Sequence, residues 1–256
     1  MQFFFNFVII ILTTESRVIN MQRYFVKKCD LQSNFIIEPS DIHHIKNVMR
    51  NVPGDQLEIV YDKKVHLCKI KSLNPISLEV INIYDEDRDI PIELTIAIGL
   101  VNEQKFDLIL QKLTELGVTT IIPLKMERSI VKLDDAKLQK KLLRWEKICK
   151  EASEQSHRLT IPNIIAPMTI DKIKDYSADK KIICSLNDGT KPLASYLKSD
   201  LQSILFIVGP EGGISPKEEE ILLQSNFEST TLGKRVLRVE TAAIYLASVI
   251  NYIYKG

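Results

Sequence analysis

Two short segments near the end of the chain contain residue types that could hold a small ligand. The first, Gly209-Pro210-Glu211-Gly212-Gly213, follows an apolar run and precedes a helix-start pattern. Its glycines allow close backbone approach and positive φ angles. Glu211 would repel a phosphate, so the segment favours a neutral or cationic ligand. The same pentapeptide is also typical of a tight strand-to-helix turn, in which glycine has only a geometric role.

The second segment, Leu232–Ala243 (LGKRVLRVETAA), combines a glycine with clustered cations. Arg235 and Arg238 are close enough in sequence to hold an RNA phosphate backbone through bidentate hydrogen bonds. Glu240 and Thr241 are also typical helix-start residues.

Several common motifs are absent from the chain. It has no GxGxxG, GxxxxGK[ST], GxSxG or HExxH pattern, which argues against the standard dinucleotide, P-loop, hydrolase and zinc-peptidase sites. No cysteine or histidine pair has zinc-ligand spacing, and the four cysteines form no disulfide-like framework. We therefore predict no metal, and reduced thiols in a cytoplasmic protein.

After Pro91, apolar strands alternate with helical patterns that would position both segments. The predicted strands are Ile92–Leu100, Val118–Leu124, Lys181–Leu186, Ile204–Gly209 and Thr230–Leu232. The predicted helices are Phe106–Leu116, Leu138–Ala152, one that begins with a capping box at Ser215, and Glu240–Tyr254. Gly117 is a plausible residue for ending the first helix. The alternation predicts a mostly parallel sheet covered on both faces, with ligands beyond the carboxyl ends of its strands.

The front of the chain has a different pattern. A short helix is predicted from Ser40 to Arg50. Short strands are predicted at Gln56–Tyr61, Val65–Leu73 and Ser77–Tyr84, which suggests a small barrel. The charged stretch Asp85–Pro91 is the predicted linker.

Composition sets outer limits. The chain has 256 residues, of which 45% are hydrophobic and 26% charged, with a formal net charge of +1. These values exclude disordered, collagen-like and coiled-coil classes and give no global basic excess. The helix near Trp145 carries a basic face opposite its apolar stripe, formed by Lys137, Lys140, Lys141, Arg144 and Lys147. Such a face indicates either ordinary solvation or RNA binding.

The first twenty residues differ from the rest. Phe3–Leu12 is an apolar run of ten residues, too short for a membrane span of about 20 residues. It lacks the basic flank and the cleavage site of a signal peptide. We interpret residues 1–20 as an extension outside the fold, with a cleaved targeting segment or a packed strand as alternatives.

Deletion of residues 1–20 is expected to leave folding and activity intact, because the apolar run matches no functional pattern. Thermal unfolding of the full and shortened chains tests this expectation. A large fall in melting temperature on deletion would show that the segment packs on the fold.

The paired segments GPEGG and LGKRVLRVETA strongly resemble those of the RsmE-type small-subunit ribosomal RNA uridine-N3 methyltransferases of the SPOUT superfamily. Further segments match in order over about residues 21–256. They are Arg23-Tyr24-Phe25, His44–Arg50 with Pro53-Gly54-Asp55, Lys112–Val118, Glu127-Arg128-Ser129, and Glu154-Gln155-Ser156 with Arg158. His157 departs from the pattern, which has a small residue there.

The resemblance implies a PUA-like RNA-binding β-barrel over residues 21–88 and a knotted α/β SPOUT methyltransferase domain over residues 89–256. It also implies S-adenosylmethionine as cofactor, small-subunit ribosomal RNA or the ribosomal subunit as partner, and a homodimer. Composition could not have indicated a knot, which general rules disfavour.

The same resemblance supplies candidate site residues. Cofactor contacts are expected from Leu186, Gly209, Glu211, Gly212, Gly213, Leu232, Gly233, Val236 and Leu237. Catalytic roles are expected for Arg23, Arg238 and Glu240, and RNA contacts for Arg23, Arg128, Arg158 and Arg235. Glu211 and Glu240 are candidate proton acceptors.

Three alternatives remain open from sequence: a non-catalytic RNA-binding protein, a methyltransferase acting on a different RNA, and a nucleotide-using metabolic enzyme. The closing helix is apolar over more than the single stripe that a surface helix needs. We therefore expect a shared, isologous interface that a charge at Ile250 would weaken.

Overall fold

The computed structural model describes residues 21–30, 34–86, 88–131, 133, 135–185, 187, 190–197 and 200–255. The interpretation of residues 1–20 lies outside this range. Two sheets organise the molecule, one in the front part of the chain and one in the back part. Within the described part, no helix is both long and apolar enough to cross a membrane.

The front domain is built on a four-stranded sheet in the order β1-β2-β3-β4. Its strands are β1 (Arg23–Phe25), β2 (Gln56–Tyr61), β3 (Lys64–Leu73) and β4 (Ile76–Tyr84). β1 runs parallel to β2, and the other pairs are antiparallel. The three strands predicted here are confirmed to within one residue. The predicted helix is displaced: α1 (Pro39–His43) begins one residue before Ser40, at a proline, and continues as a π-helical turn over His44–Val48.

The back domain contains a parallel sheet in the order β10-β12-β9-β11-β5-β6-β7, with β8 also paired to β6. Its strands are β5 (Glu93–Gly99), β6 (Thr120–Lys125), β7 (Asn163–Ile164), β8 (Met168–Thr169), β9 (Lys180–Cys184), β10 (Lys191–Pro192), β11 (Ser203–Val208) and β12 (Glu228–Thr231). The central strands β5 and β11 are buried at every position after their first residue because helices cover both faces. Alternate residues of β5 therefore pack into two different hydrophobic cores, one on each face of the sheet. Leu94, Ile96 and Ile98 belong to one core, and Ala97 belongs to the other.

Five helices belong to this domain: α2 (Glu103–Glu115), α3 (Asp135–Gln155), α4 (Ile170–Ile173), α5 (Pro216–Gln224) and α6 (Val239–Lys255). Both predicted helix signals are confirmed. Gly117 lies just past α2 with φ +89°, the left-handed conformation that glycine adopts without steric cost. Ser215 caps α5 in a capping box with Glu218, and Pro216 is the first helical residue.

The basic face of α3 contacts a neighbouring helix as well as solvent. Lys137 and Lys140 have exposed side chains. Arg144 forms ion pairs with Glu103 and Asp107 of α2. Part of the positive charge of this face therefore joins two helices.

A buried ionic junction joins the two domains at Arg23, whose side chain is completely buried. Its guanidinium pairs with Glu58 at 2.8 Å and with Glu86 at 3.0 Å. It also donates a hydrogen bond of 2.7 Å to the carbonyl oxygen of His157 in the back domain. One arginine thus connects β1, β2 and the loop after α3.

A second set of contacts strengthens the same junction. Lys150 of α3 donates hydrogen bonds to Asp41 at 2.8 Å and to Glu154 at 2.7 Å. Glu154 in turn accepts from the backbone N–H of Phe25 at 3.1 Å. Because Asp41 and Phe25 belong to the front domain, these hydrogen bonds join α3 to that domain at two points.

The departure at His157 has a geometric explanation. His157 has φ +56°, in the left-handed region where a residue without Cβ is favoured. A small residue is therefore the easier choice at this position, and histidine occupies it at a conformational cost. The His157 ring partly compensates through a contact of 3.4 Å between Nδ1 and the Glu58 carboxylate.

The Glu58 carboxylate makes the junction sensitive to acid. Burial would raise the pKa of Glu58, but hydrogen bonds from His157 and Tyr84 and the charge of Arg23 hold the pKa at about 2, below its usual 4.5. Because the folded-state pKa is the lower one, Glu58 stabilises the fold above pH 4.5, and this contribution is lost as the pH falls from 4.5 towards 2. We expect Glu58→Gln to flatten the loss of unfolding free energy over that interval. Urea titrations from pH 5 to 2 test this, and slopes equal to wild type would contradict it.

Candidate cofactor cavity

A cavity of about 700 Å³ opens at the carboxyl ends of β9, β11 and β12. Three loops form its walls: the residues after β9, the glycine loop Gly209–Gly213 after β11, and the cationic loop Gly233–Arg238 after β12. The first residues of α2, α5 and α6 complete it. This is the edge at which open α/β sheets bind ligands, and the two segments singled out from sequence face each other across it.

The glycine loop is shaped by close backbone packing. Gly213 has φ +73°, and its N–H donates to the Pro210 carbonyl oxygen at 2.8 Å. A Cβ on Gly209 would lie 2.9 Å from the carbonyl carbon of Gly213, and one on Gly212 would lie 2.9 Å from the Cβ of Arg128. Each of these glycines therefore satisfies a steric requirement, as the turn interpretation predicted, and the loop lines the cavity as well.

The Glu127-Arg128-Ser129 segment holds this loop from outside. Arg128 Nη1 donates to the carbonyl oxygens of Gly212 at 3.1 Å and Ile214 at 3.3 Å. The buried Glu218 carboxylate accepts from the backbone N–H of Glu127 at 2.8 Å and of Ser215 at 3.0 Å. The loop after β6 is thus bound to both ends of the turn that leads into α5.

An ion pair crosses the rim of the cavity. Lys105 Nζ of α2 lies 2.9 Å from Glu211 Oε1 of the glycine loop. Partial burial would raise the pKa of Glu211, but the hydrogen bond and charge of Lys105 lower it overall. A lowered pKa makes Glu211 a weaker base, which reduces its suitability as a proton acceptor.

The cationic loop leaves its side chains exposed. Gly233 has φ +111°, and an added Cβ would meet no protein atom within 4 Å. Val236 is 77% exposed, and Arg235 and Arg238 line the cavity with their side chains accessible. The Arg238 carbonyl oxygen accepts from the Ala242 N–H at 2.8 Å, so this arginine is held at the start of α6.

Most predicted site residues meet at the cavity. The lining includes Gly209, Glu211, Gly212, Gly213, Leu232, Gly233, Val236 and Leu237, together with Arg128, Arg235 and Arg238. Arg238, predicted to act in catalysis and to contact the RNA backbone, borders the same ligand space. Leu186 lies outside the described residues. Glu240 follows the cavity on α6 but is not part of its lining, and its Oε2 is buried without a hydrogen-bond partner in the structure.

Arg23 and Arg158 do not line the cavity, and both contact other parts of the protein. Arg158 is 4% exposed and donates to the carbonyl oxygens of Thr114 at 2.8 Å and Val118 at 2.9 Å. The Arg23 guanidinium forms the ion pairs and the hydrogen bond of the domain junction. Both guanidinium groups are buried and hydrogen-bonded to protein, which favours structural roles for Arg23 and Arg158 over the predicted catalytic and RNA contacts.

Sequence reasoning missed four polar lining residues: Lys105, Ser185, Asn187 and Glu219. Asn187 Nδ2 donates to Glu219 Oε2 at 2.6 Å. These residues come from separate elements without any motif. Their position directly after strand ends was the only available signal.

The cavity therefore combines apolar walls, glycine backbone and surrounding cations. Among the described residues, no three His, Cys, Asp or Glu side chains form a group suited to a metal ion. Added Cβ atoms at Gly213 and Gly233 would face open space, so both positions leave the wall accessible to a ligand. The arrangement fits a nucleoside-like molecule, whose ring the apolar walls can contact and whose polar edges the glycine backbone can bind.

The fold and cavity define an α/β ligand-binding domain joined to a small β domain, and comparisons specify it further. A family model described as an RNA methyltransferase domain matches residues 88–251, and one described as an RNA methyltransferase PUA domain matches residues 37–81. Ribosomal RNA small subunit methyltransferase E of Bacillus subtilis is 38% identical, covering 91% of this chain and 96% of that protein. The Synechocystis protein of the same name is 30% identical, covering 88% of this chain and 75% of that protein.

Among solved structures, ribosomal RNA small subunit methyltransferase E from Neisseria gonorrhoeae, bound to S-adenosyl methionine, superposes with a TM-score of 0.82. It is 29% identical and covers 92% of this chain and 98% of its own. The chain belongs to the RsmE family of RNA methyltransferases, and the resemblance seen in its motifs is confirmed.

Proposed function

We propose that this protein transfers a methyl group from S-adenosylmethionine to N3 of a specific uridine in small-subunit ribosomal RNA. The observation that carries the proposal is the cavity itself. Two of its three walls are the glycine loop and the cationic loop, the motif pair by which the chain resembles its family. Relatives named ribosomal RNA small subunit methyltransferase E, and a neighbour bound to S-adenosyl methionine, support methylation of this RNA with this cofactor.

Methyl transfer needs placement more than a nucleophilic side chain, since the reaction is an in-line displacement at carbon. The cofactor would supply the activated methyl group. Backbone groups of Gly209, Gly213 and Gly233 would bind its nucleoside, with Leu232 and Leu237 as apolar contacts. This division leaves the cationic side chains available for RNA.

The N3 proton of uridine must leave, and negative charge then develops on the base. Arg235 and Arg238 are exposed beside the cavity, where positive charge can stabilise that anion and hold the phosphate backbone. Arg128 is partly occupied by the glycine loop and is a weaker candidate for RNA contact. Glu240 stays a candidate proton acceptor, although it does not line the cavity.

We also propose the finer architecture of the family: a knotted SPOUT domain over residues 89–256 and a PUA-like barrel over residues 21–88. The parallel sheet order and the two matched family regions support it. A cytoplasmic location follows from ribosomal RNA as substrate.

One assay separates the candidate functions. Purified small ribosomal subunits lacking the modification are incubated with the protein and S-adenosylmethionine, and the product is mapped by mass spectrometry. Methylation at N3 of one uridine supports the proposal. Methyl incorporation at another site or in another RNA would assign a different substrate, and cofactor binding without transfer would contradict an enzymatic role.

We further propose that the protein acts as a homodimer through the outer face of α6. Ala243, Leu246 and Ala247 on the inner face are completely buried. On the outer face, Tyr252 is 82% exposed and Ile253 45% exposed, which is much apolar surface for one helix.

Ile253→Glu is expected to weaken the dimer and reduce methylation together, because the charge would lie in the apolar interface. Ile250, the position chosen from sequence, is unsuitable: it is completely buried in the core, so a charge there would unfold the chain. Sedimentation velocity measures the dimer, and thermal unfolding controls for stability. A fully active wild-type monomer at assay concentration would defeat the proposal.

A further inference from the structure

Glu219 is a buried carboxylate on the wall of the cavity. The residue is 9% exposed and lies in the first turn of α5. Its Oε2 accepts the hydrogen bond from Asn187, but no Lys, Arg or His nitrogen of the described residues pairs with it within 4.0 Å. Buried carboxylates are ordinarily paired or fully hydrogen-bonded, since removing a charge from water is costly. The hydrogen bond from Asn187 therefore fills only part of the capacity of the Glu219 carboxylate to accept hydrogen bonds.

Neither capping of α5 nor its helix dipole explains why Glu219 is buried against the cavity. The capping function of α5 belongs to Ser215 and Glu218. Glu220, the next residue, is exposed and accepts a hydrogen bond from Gln224, as a surface glutamate does. An acidic residue near a helix N-terminus is favourable anywhere around the first turn, so this effect does not require a buried position against a cavity.

The sheet order places Glu219 within the cavity. From β12 through β9 and β11 to β5, neighbouring strands lie about 4.8 Å apart. Leu232 and Gly233 follow β12, Asn187 follows β9, and Lys105 follows β5 on α2. The bond to Asn187 therefore sets Glu219 at the β9 position, between Leu232 on the β12 side and Lys105 on the β5 side.

We propose that Glu219 accepts hydrogen bonds from the ribose hydroxyls of S-adenosylmethionine, with Asn187 orienting its carboxylate. The inference rests on the proposed function and on the adenine lying beside Leu232 and Leu237. The ribose, which is next to adenine in the molecule, then reaches the β9 position. The amino-acid end extends towards β11 and β5, where Lys105 lies. A carboxylate is well suited to a vicinal diol, because it accepts from both hydroxyls, as acidic residues do on ribose in dinucleotide folds.

Glu219→Gln tests the assignment, with Glu220→Gln as the matched control on the same turn. Binding of S-adenosylhomocysteine and of its 2′,3′-dideoxy analogue is measured by calorimetry for each variant and wild type. Glu219→Gln is expected to weaken S-adenosylhomocysteine binding about 10-fold or more, as for loss of a hydrogen bond to a charged group. It should change binding of the dideoxy analogue much less. Glu220→Gln should change neither.

The outcomes are distinct. If Glu219→Gln weakens binding of both ligands equally, the ribose assignment is overturned. It is also overturned if Glu219→Gln no longer weakens binding of an analogue that lacks the amino group, since Glu219 would then contact the ammonium group. Unchanged binding in Glu219→Gln also overturns it. If wild type binds no S-adenosylhomocysteine, the proposed function itself fails. Unaltered melting temperature and a near-normal kcat at saturating cofactor would show that the effect is one of cofactor binding.

Discussion

Gly212→Val is expected to abolish binding of S-adenosylmethionine in a protein that still folds. The sequence suggests that a branched side chain would block the approach of the ligand to the loop backbone, but the structure gives a different reason. The new side chain would not block the ligand directly, because a Cβ at this position lies 2.9 Å from Arg128 Cβ and 3.2 Å from the Arg128 carbonyl oxygen. The crowding would separate the glycine loop from Arg128 and break the hydrogen bonds to Gly212 and Ile214. Calorimetry measures the loss of binding, and circular dichroism checks the fold.

Gly54→Val is the control for this experiment. Gly54 has a positive φ, +105°, and an open Cβ position, and it lies in the front domain. Its substitution should lower stability without changing cofactor affinity. Normal binding by a folded Gly212→Val would remove this loop from the site.

Arg23→Met is expected to lower the free energy of unfolding by about 3–5 kcal/mol, the range for breaking a buried ion pair by removing one partner. The substitution leaves the Glu58 carboxylate without its arginine, removes one of the two arginines that pair with Glu86, and leaves the His157 carbonyl oxygen without this donor. Methylation should fall because the front domain is no longer fixed against the back domain. Urea denaturation measures the stability change.

The exposed Arg88 supplies the control for Arg23, since it pairs with the same Glu86 at 2.7 Å while its side chain is 49% exposed. Arg88→Met should cost at most about 1 kcal/mol, as surface pairs do. Cofactor affinity should persist in folded Arg23→Met, because Arg23 is absent from the cavity. A loss of methylation without any loss of stability would restore a direct RNA or catalytic role.

Local signals predicted much of this molecule. Gly117 and the Ser215 capping box each depend on a few adjacent residues, so the corresponding helix ends were readable from sequence. The long apolar strands were found to within a few residues because helices bury both of their faces. The two ligand loops were also recognisable, since each combines its chemistry in one continuous segment.

Long-range partnerships were not predictable in the same way. Arg23 meets a carbonyl oxygen 134 positions away, and its burial depends on two domains coming together. An arginine in a family motif looks the same whether it contacts RNA or joins two domains. Glu219 and Asn187 are separated by 32 residues, and only the sheet order brings them to one wall. Ile250 failed as a surface choice because an almost uniformly apolar helix does not reveal which side faces the core.

The contact between Gly99 and Pro210 has a consequence for how the cavity receives its ligand. A Cβ on Gly99 would lie 2.4 Å from Pro210 Cδ, so the glycine loop rests directly on the end of β5. Arg128 and Glu218 restrain the same loop from the other side. The cationic loop, with Val236 and both arginines exposed, has no comparable support. The cavity thus pairs a closely packed floor with an exposed loop, and under the proposed function this exposed loop lies beside both the cofactor and the RNA.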